Sequence, residues 1–103
     1  LFMVALLIVY RSSMTSDLEE MMRKSGIDHY TVIENAMGKG ETGNVVGSFF
    51  YPGKNSIIFS VLPDMQVDQT ISVLKAFHAE RLQNAQGRPI PFKLFSFPCR
   101  EVI

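Results

Sequence analysis

A glycine-rich stretch, Gly38, Lys39, Gly40, Glu41, Thr42, Gly43 and Asn44, carries the densest chemical potential in this chain. Main-chain N–H groups exposed in succession form concave nests that favour negative charge. Lys39, and Arg88 from far along the chain, add cationic groups suited to phosphate. The stretch lacks the Gly-Lys-Ser/Thr ending of a P-loop and does not stand directly before a helix. It reads as a flexible binding loop, as a loop that touches phosphate, or as slack.

His29, His78 and Cys99 are the soft or borderline metal ligands. They lack the close pairs that zinc sites use. A metal site would need ligands from several subunits, and no metal ligand is assigned. His78 falls in an apolar helical stripe and reads as a packed or partly buried histidine. His29 falls in the turn before a strand and reads as exposed. Cys99 reads as a small residue near the end of the last strand. No Ser-His-Asp set is suggested. The carboxylates Glu19, Glu20, Asp64 and Asp68 cluster at helix starts, where caps and the helix dipole explain them. No catalytic residue is assigned, and the chain is expected not to be an enzyme. The six methionines read as core filler.

Two similar half-units position these residues, each strand, helix, strand. The first comprises residues 2–10, 16–25 and 30–37, and the second 56–62, 64–83 and 92–97. The opening run is apolar at every position from Phe2 to Val9, as in a strand covered on both faces. Ser16 and Glu19 have the spacing of a capping box. Leu18, Met21 and Met22 form the inward stripe of that helix, and Gly26 is its expected stop. Thr31, Val32 and Ile33 are β-branched and predict a strand. Residues 48–51 look strand-like again. Pro52 and Gly53 suit a type II turn before the next strand. Asp64 after Pro63 is the expected cap of the second helix. Val67, Ile71, Leu74, His78 and Leu82 have helical spacing and predict its buried face. The order predicts an α+β, ferredoxin-like βαββαβ sandwich: a four-stranded antiparallel sheet with two helices on one face. The other face, carrying phenylalanine and aliphatic side chains, then needs a cover, and a second subunit is the simplest one.

Composition narrows the function classes. A chain of 103 residues is expected to be one domain, residues 1–103, with the loop 38–55 projecting. At this size a fold hides roughly 65% of its unfolded surface. Yet 47% of the residues are hydrophobic, and mean hydropathy is +0.13. Part of that apolar material is expected to face another subunit. Ten basic residues balance ten acidic ones, which leaves no cationic excess for nucleic acid or for electrostatic attachment to a membrane. The opening apolar run is far shorter than the roughly 20 residues of a membrane helix, so no direct membrane insertion is expected. A single cysteine cannot form an internal disulfide and fits a reducing, cytoplasmic home.

The segment from Ser16 through Gly26, Ile27, Thr31 and Val32 to Glu34 resembles the helix, Gly-Ile turn and Thr-Val strand of the PII signalling proteins, the nitrogen regulatory family. The segment from Ile57 through Pro63 and Asp64 to Ile71 is similar to that family's strand, Pro-Asp cap and second helix. The Gly38 stretch stands where the family's long T-loop begins. The resemblance covers nearly the whole chain. It implies a homotrimer with sheets turned inward and with ATP, ADP or AMP, and in some members 2-oxoglutarate, in clefts between subunits. It implies an allosteric loop that engages a membrane transporter or regulatory protein. On this resemblance Thr31, Gly38, Lys39, Gly40, Gly87, Arg88 and Arg100 would bind the ligand, and Glu41, Thr42, Gly43, Asn44 and Tyr51 would face the partner. The chain also departs from the pattern. Only Gly87 and Arg88 echo the nucleotide-binding Thr-Gly-x-x-Gly-Asp-Gly-Lys signature. Phe59 stands where the family has an acid used on adenine, Arg100 alone replaces paired arginines, and the loop is shorter. Tyr51 need not be the tyrosine that the family modifies. The alternative is a CutA-like or efflux-associated, metal-linked trimer, which requires His29, His78 or Cys99 close together.

Overall fold

Strand β1, Met3–Arg11, occupies an inner position of the sheet, which explains why its residues are apolar on both faces. The computed structural model describes residues 3–38, 53–86, 88 and 90–103. A 3₁₀ turn, Ser12–Met14, leads into helix α1, Thr15–Lys24. Strand β2, Thr31–Gly38, and strand β3, Gly53–Pro63, follow. Helix α2, Asp64–Asn84, and strand β4, Phe92–Cys99, complete the order. The sheet runs β2-β3-β1-β4, with β1–β3, β1–β4 and β2–β3 each antiparallel. Each half-unit is therefore split by a strand of the other, and the expected ferredoxin-like sandwich is the observed fold.

The pleat of β1 assigns its two faces. Leu6, Ile8 and Tyr10 point to the helices, where they pack with Leu18 and Met22 of α1, Val67, Leu74 and Phe77 of α2, and Ile58, Leu62 and Phe92. Ala5, Leu7 and Val9 point the other way. In register with them stand Val61, Phe59 and Ile57 of β3, and Phe97, Phe95 and Lys93 of β4. Thr31 and Ile33 extend this second face onto β2, opposite Phe59 and Ile57. No helix covers it. Its small central residues, Ala5 and Val9, are shielded by larger neighbours, while Ile33 is 48%, Phe97 43% and Val61 38% exposed.

Local signals explain how the elements end. Gly26 has φ +81°, a left-handed conformation in which a side chain costs about 1–2 kcal/mol. Its N–H donates to the Arg23 carbonyl at 3.0 Å, and the Ile27 N–H donates to the Met22 carbonyl at 2.9 Å. These are the two bonds of a Schellman motif, and the buried pair Met22 and Ile27 supplies its apolar contact. Asn35 is also left-handed, φ 59°, and lies inside a bulge between Ile33 and Ala36. One extra residue on β2 bends the strand shortly before its end at Gly38.

Several expected details are corrected. The capping box does not form: Ser16 lies inside α1, whose cap is Met14 with no side-chain hydrogen bond. The 3₁₀ turn feeds the helix one residue early, and the Thr15 hydroxyl donates to the Ser12 carbonyl at 2.8 Å. Asp64 is the first helical residue of α2 rather than its cap, which is Pro63. Strand β3 starts at Gly53, paired with Gly38, so Gly53 belongs to the ladder and not to a turn. The buried face of α2 is Val67, Thr70, Leu74 and Phe77. Ile71 and His78 flank it and Leu82 is 45% exposed, because repeated steps of four drift around a helix of 3.6 residues per turn. Thr70 tolerates burial because its hydroxyl donates to the Gln66 carbonyl at 3.2 Å. Strand β4 continues through Pro98, which an edge strand accepts. Residues 48–51 lie outside the described residues.

Candidate functional site

Strand β2 begins opposite Phe59, whereas β3 runs on to Pro63. The mismatch leaves the last part of β3 without a β2 neighbour and opens a hollow beside it. Asp28, His29, Tyr30 and Thr31 line one wall, and Phe59, Ser60 and Val61 the other, around a volume of about 490 Å³. One hydrogen bond ties the two walls together, and one contact lies within the first wall. The Ser60 hydroxyl donates to the His29 carbonyl at 3.1 Å, and Asp28 Oδ1 lies 2.8 Å from His29 Nδ1. Tyr30 packs against the core from the same segment. Thr31 is exposed at the margin of the uncovered sheet face.

The other expected ligand residues are distributed over the sheet. Gly38 ends β2 and pairs with Gly53. Arg88 is exposed in the connection between α2 and β4, and its N–H donates to the Ala85 carbonyl at 3.0 Å. The Arg11 N–H donates to the Pro91 carbonyl at 2.9 Å, which holds that connection at the same end of the sheet as Gly38. Gly38 and Arg88 therefore share one end but belong to opposite edges, β2 and β4. Arg100 follows β4 at the far end, where Cys99 pairs with Met3. One copy of the chain does not bring Thr31, Gly38, Arg88 and Arg100 to a common point. Lys39, Gly40, Gly87, Glu41, Thr42, Gly43, Asn44 and Tyr51 lie outside the described residues.

The hollow also contains residues that sequence reasoning missed. Asp28, His29, Ser60 and Val61 become neighbours only through the β2–β3 register, and the bulge at Asn35 shifts that register by one residue. Phe59 stands out in the sequence only through the resemblance, at the position of the family's acid used on adenine. The signal available is its position two residues before Val61 on one face of a strand, close to a Thr-Val pair on the neighbouring strand.

The metal-linked arrangement is not assembled among the described residues. His29 precedes β2, Cys99 ends β4, and His78 lies on α2 with its ring edge-on to Phe92 at 5.1 Å. Among the described residues no three of histidine, cysteine, aspartate and glutamate group as metal ligands. A second groove, along Leu74, His78, Phe92 and Leu94, has mainly core side chains for its floor.

Behind the loop end lies a polar cluster facing the helices. Tyr10 is fully buried, and its hydroxyl closes no hydrogen bond of good geometry with any described residue. Burial is the main cause that raises its pKa, the nearby Thr15 and Ser56 hydroxyls oppose the shift, and Glu19 and Glu34 add to it. The Ser12 and Ser56 hydroxyls meet at 3.0 Å beside it. Tyr30 is shifted upward as well, first by burial and then by Glu19 and Tyr10. Among the described residues no helix is long and apolar enough to cross a membrane.

The chain matches the family model of nitrogen regulatory protein P-II over residues 3–103. No curated protein matches it significantly. Among solved structures it is similar to CPII of Thiomonas intermedia K12 bound to ADP, AMP and acetate, at 16% identity and a TM-score of 0.66, over 95% of this chain and 86% of that one. It is similar to the ATP complex of B. subtilis GlnK, at 21% identity and a TM-score of 0.66, over 96% and 84%. A putative PII-like signalling protein of Thermus thermophilus gives 18% identity and a TM-score of 0.59, over 96% and 88%. At these identities the likeness establishes the fold.

Proposed function

Because the chain belongs to the nitrogen regulatory protein P-II family, we propose that it is a non-catalytic, cytoplasmic signalling protein that works as a trimer. Three copies press their uncovered sheet faces together about a common axis. An adenine nucleotide binds at each seam, where the Thr31 hollow of one copy meets the Gly38 and Arg88 end of another. Binding selects a conformation of the loop 38–55, which engages a membrane transporter or a regulatory protein.

The observation that carries this reading is the apolar sheet face with the Thr31 hollow at its margin. Contiguous apolar surface of this kind marks an interface in a soluble protein. A hollow at the edge of that interface is a shallow half-site, and apposition of a second copy would deepen it. The relatives crystallised with ADP, AMP or ATP support an adenine nucleotide as the ligand. Regulation requires that the nucleotide bind two loop states with different affinity, because equal affinity shifts no equilibrium.

Sedimentation in dilute solution and calorimetry with ATP, ADP and AMP test the two halves of the proposal. A mass of three copies and heat with at least one nucleotide are expected. A mass of one copy would remove the shared site, and the absence of heat with all three ligands would remove nucleotide sensing.

A further inference from the structure

The lining of the Thr31 hollow decides which base it accepts. Phe59 contributes an aromatic surface on one wall. Stacking on an aromatic ring is indifferent to base identity, because every base presents a π-face. The polar groups are equally permissive. Ser60 already donates to the His29 carbonyl. The Thr31 and Tyr30 hydroxyls either donate or accept. Asp28 holds His29 through one carboxylate oxygen. Its remaining acceptor capacity suits an N–H of either purine: the 6-amino group of adenine, or the N1–H and 2-amino group of guanine. Strong discrimination arises where the wrong ligand leaves a buried, committed polar group unpaired. Among the described residues no side chain of the hollow is in that position: Asp28 and His29 are both highly exposed.

We propose that this hollow holds purine nucleotides by stacking on Phe59 and does not discriminate adenine from guanine. The inference rests on the nucleotide reading above and adds the ligand class to it.

Calorimetric titration of the unmodified protein with ADP and with GDP is the test. The two affinities are expected to agree within about tenfold, the range left when no committed hydrogen bond separates two ligands. Phe59→Leu keeps apolar bulk but removes the ring and is expected to weaken both ligands by about tenfold or more, the scale of one aromatic stack. Phe59 belongs to the open sheet face, so the mass of the variant is measured alongside. The ratio for the unmodified protein needs no variant. A preference for ADP above about a hundredfold, or a Phe59→Leu protein of unchanged mass and unchanged affinity, overturns the inference alone. If neither nucleotide binds the unmodified protein, the nucleotide reading falls with it.

Discussion

Phe97 and Leu82 have nearly the same exposure, 43% and 45%, but stand on opposite sides of the molecule. Phe97 is on the open sheet face, in register with Ala5. Leu82 is in the last turn of α2. Burying a large apolar side chain is worth about 1.5–3 kcal/mol. The fraction of Phe97 still exposed is therefore worth roughly 1 kcal/mol per copy if assembly covers it. Ile33 and Val61, at 48% and 38% exposed, add about 1 kcal/mol each on the same scale. A carboxylate at position 97 would forfeit the first contribution. It would also place a charge in each copy's dry interface, and the effective penalty is several kcal/mol per ion. Phe97→Glu is thus expected to dissociate the assembly to single copies, with far-ultraviolet circular dichroism retained because the helix-side core is untouched. Leu82→Glu removes a similar exposed apolar area and is expected to keep the wild-type mass. Sedimentation of both variants at micromolar concentration decides the matter. A Phe97→Glu protein with the same mass as its parent would refute the claim that this face is the interface. So would equal dissociation by Leu82→Glu.

The Tyr10 hydroxyl is buried without a hydrogen bond to any described residue, and leaving such a group unsatisfied costs about 1–3 kcal/mol. Tyr10→Phe is therefore expected to raise the urea midpoint or leave it unchanged, and a loss of about 1 kcal/mol, the usual worth of a made hydrogen bond, would contradict the geometry. The same residue carries a pH signature. Its pKa in the folded protein lies above the ordinary value of 10.0, so the unfolded chain loses its proton first as pH rises. Stability from this group is complete below about pH 10 and declines above it, and the decline should be shallower in Tyr10→Phe. Gly26→Ala is expected to cost about 1–2 kcal/mol in chemical denaturation. An added Cβ there meets nothing within 4 Å, so the whole cost is backbone conformation. Gly26→Asn should lose less, because asparagine enters the left-handed region more readily, and equal losses for the two would point to a steric cause.

Much of the fold was legible because its signals are local. The unbroken apolar run of β1, the β-branched start of β2 and Gly26 each act through their own backbone or pleat. The misassigned details were those decided by neighbours. Ser16 has the right type and spacing for a capping box, but the 3₁₀ turn at Ser12–Met14 starts the helix before it. His78 and Leu82 fit a helical stripe on paper, yet the sheet lies against Val67, Thr70, Leu74 and Phe77. The site was legible in the same partial way. Of the residues proposed to bind a ligand, Thr31 lines the hollow, and Gly38 and Arg88 share one end of the sheet. Asp28, His29, Ser60 and Val61 were not foreseen, because their proximity comes from where β2 stops pairing and from one bulged residue. Periodicity of side chains does not encode either of these.

The two faces of β1 connect the apolar composition to the site. Leu6, Ile8 and Tyr10 fulfil the demands of a small core within one chain, while Ala5, Leu7 and Val9 repeat the same chemistry towards the outside. A monomer buries Ala5 and Val9 of the second set, but Phe59 and Phe95 across Leu7 leave an apolar surface in water. On the proposed reading that surface closes against other copies, and the Thr31 hollow lies along its edge. A nucleotide there would touch two chains and would bind the assembled form alone. Ligand and assembly then become one equilibrium: nucleotide at a hundred times its dissociation constant would strengthen the assembly by about 2.7 kcal/mol per site. The reverse coupling follows by linkage, so dilution that separates the copies would also weaken the nucleotide. Loss of the shared face, rather than loss of any one hollow residue, is therefore the change that would remove signalling most completely.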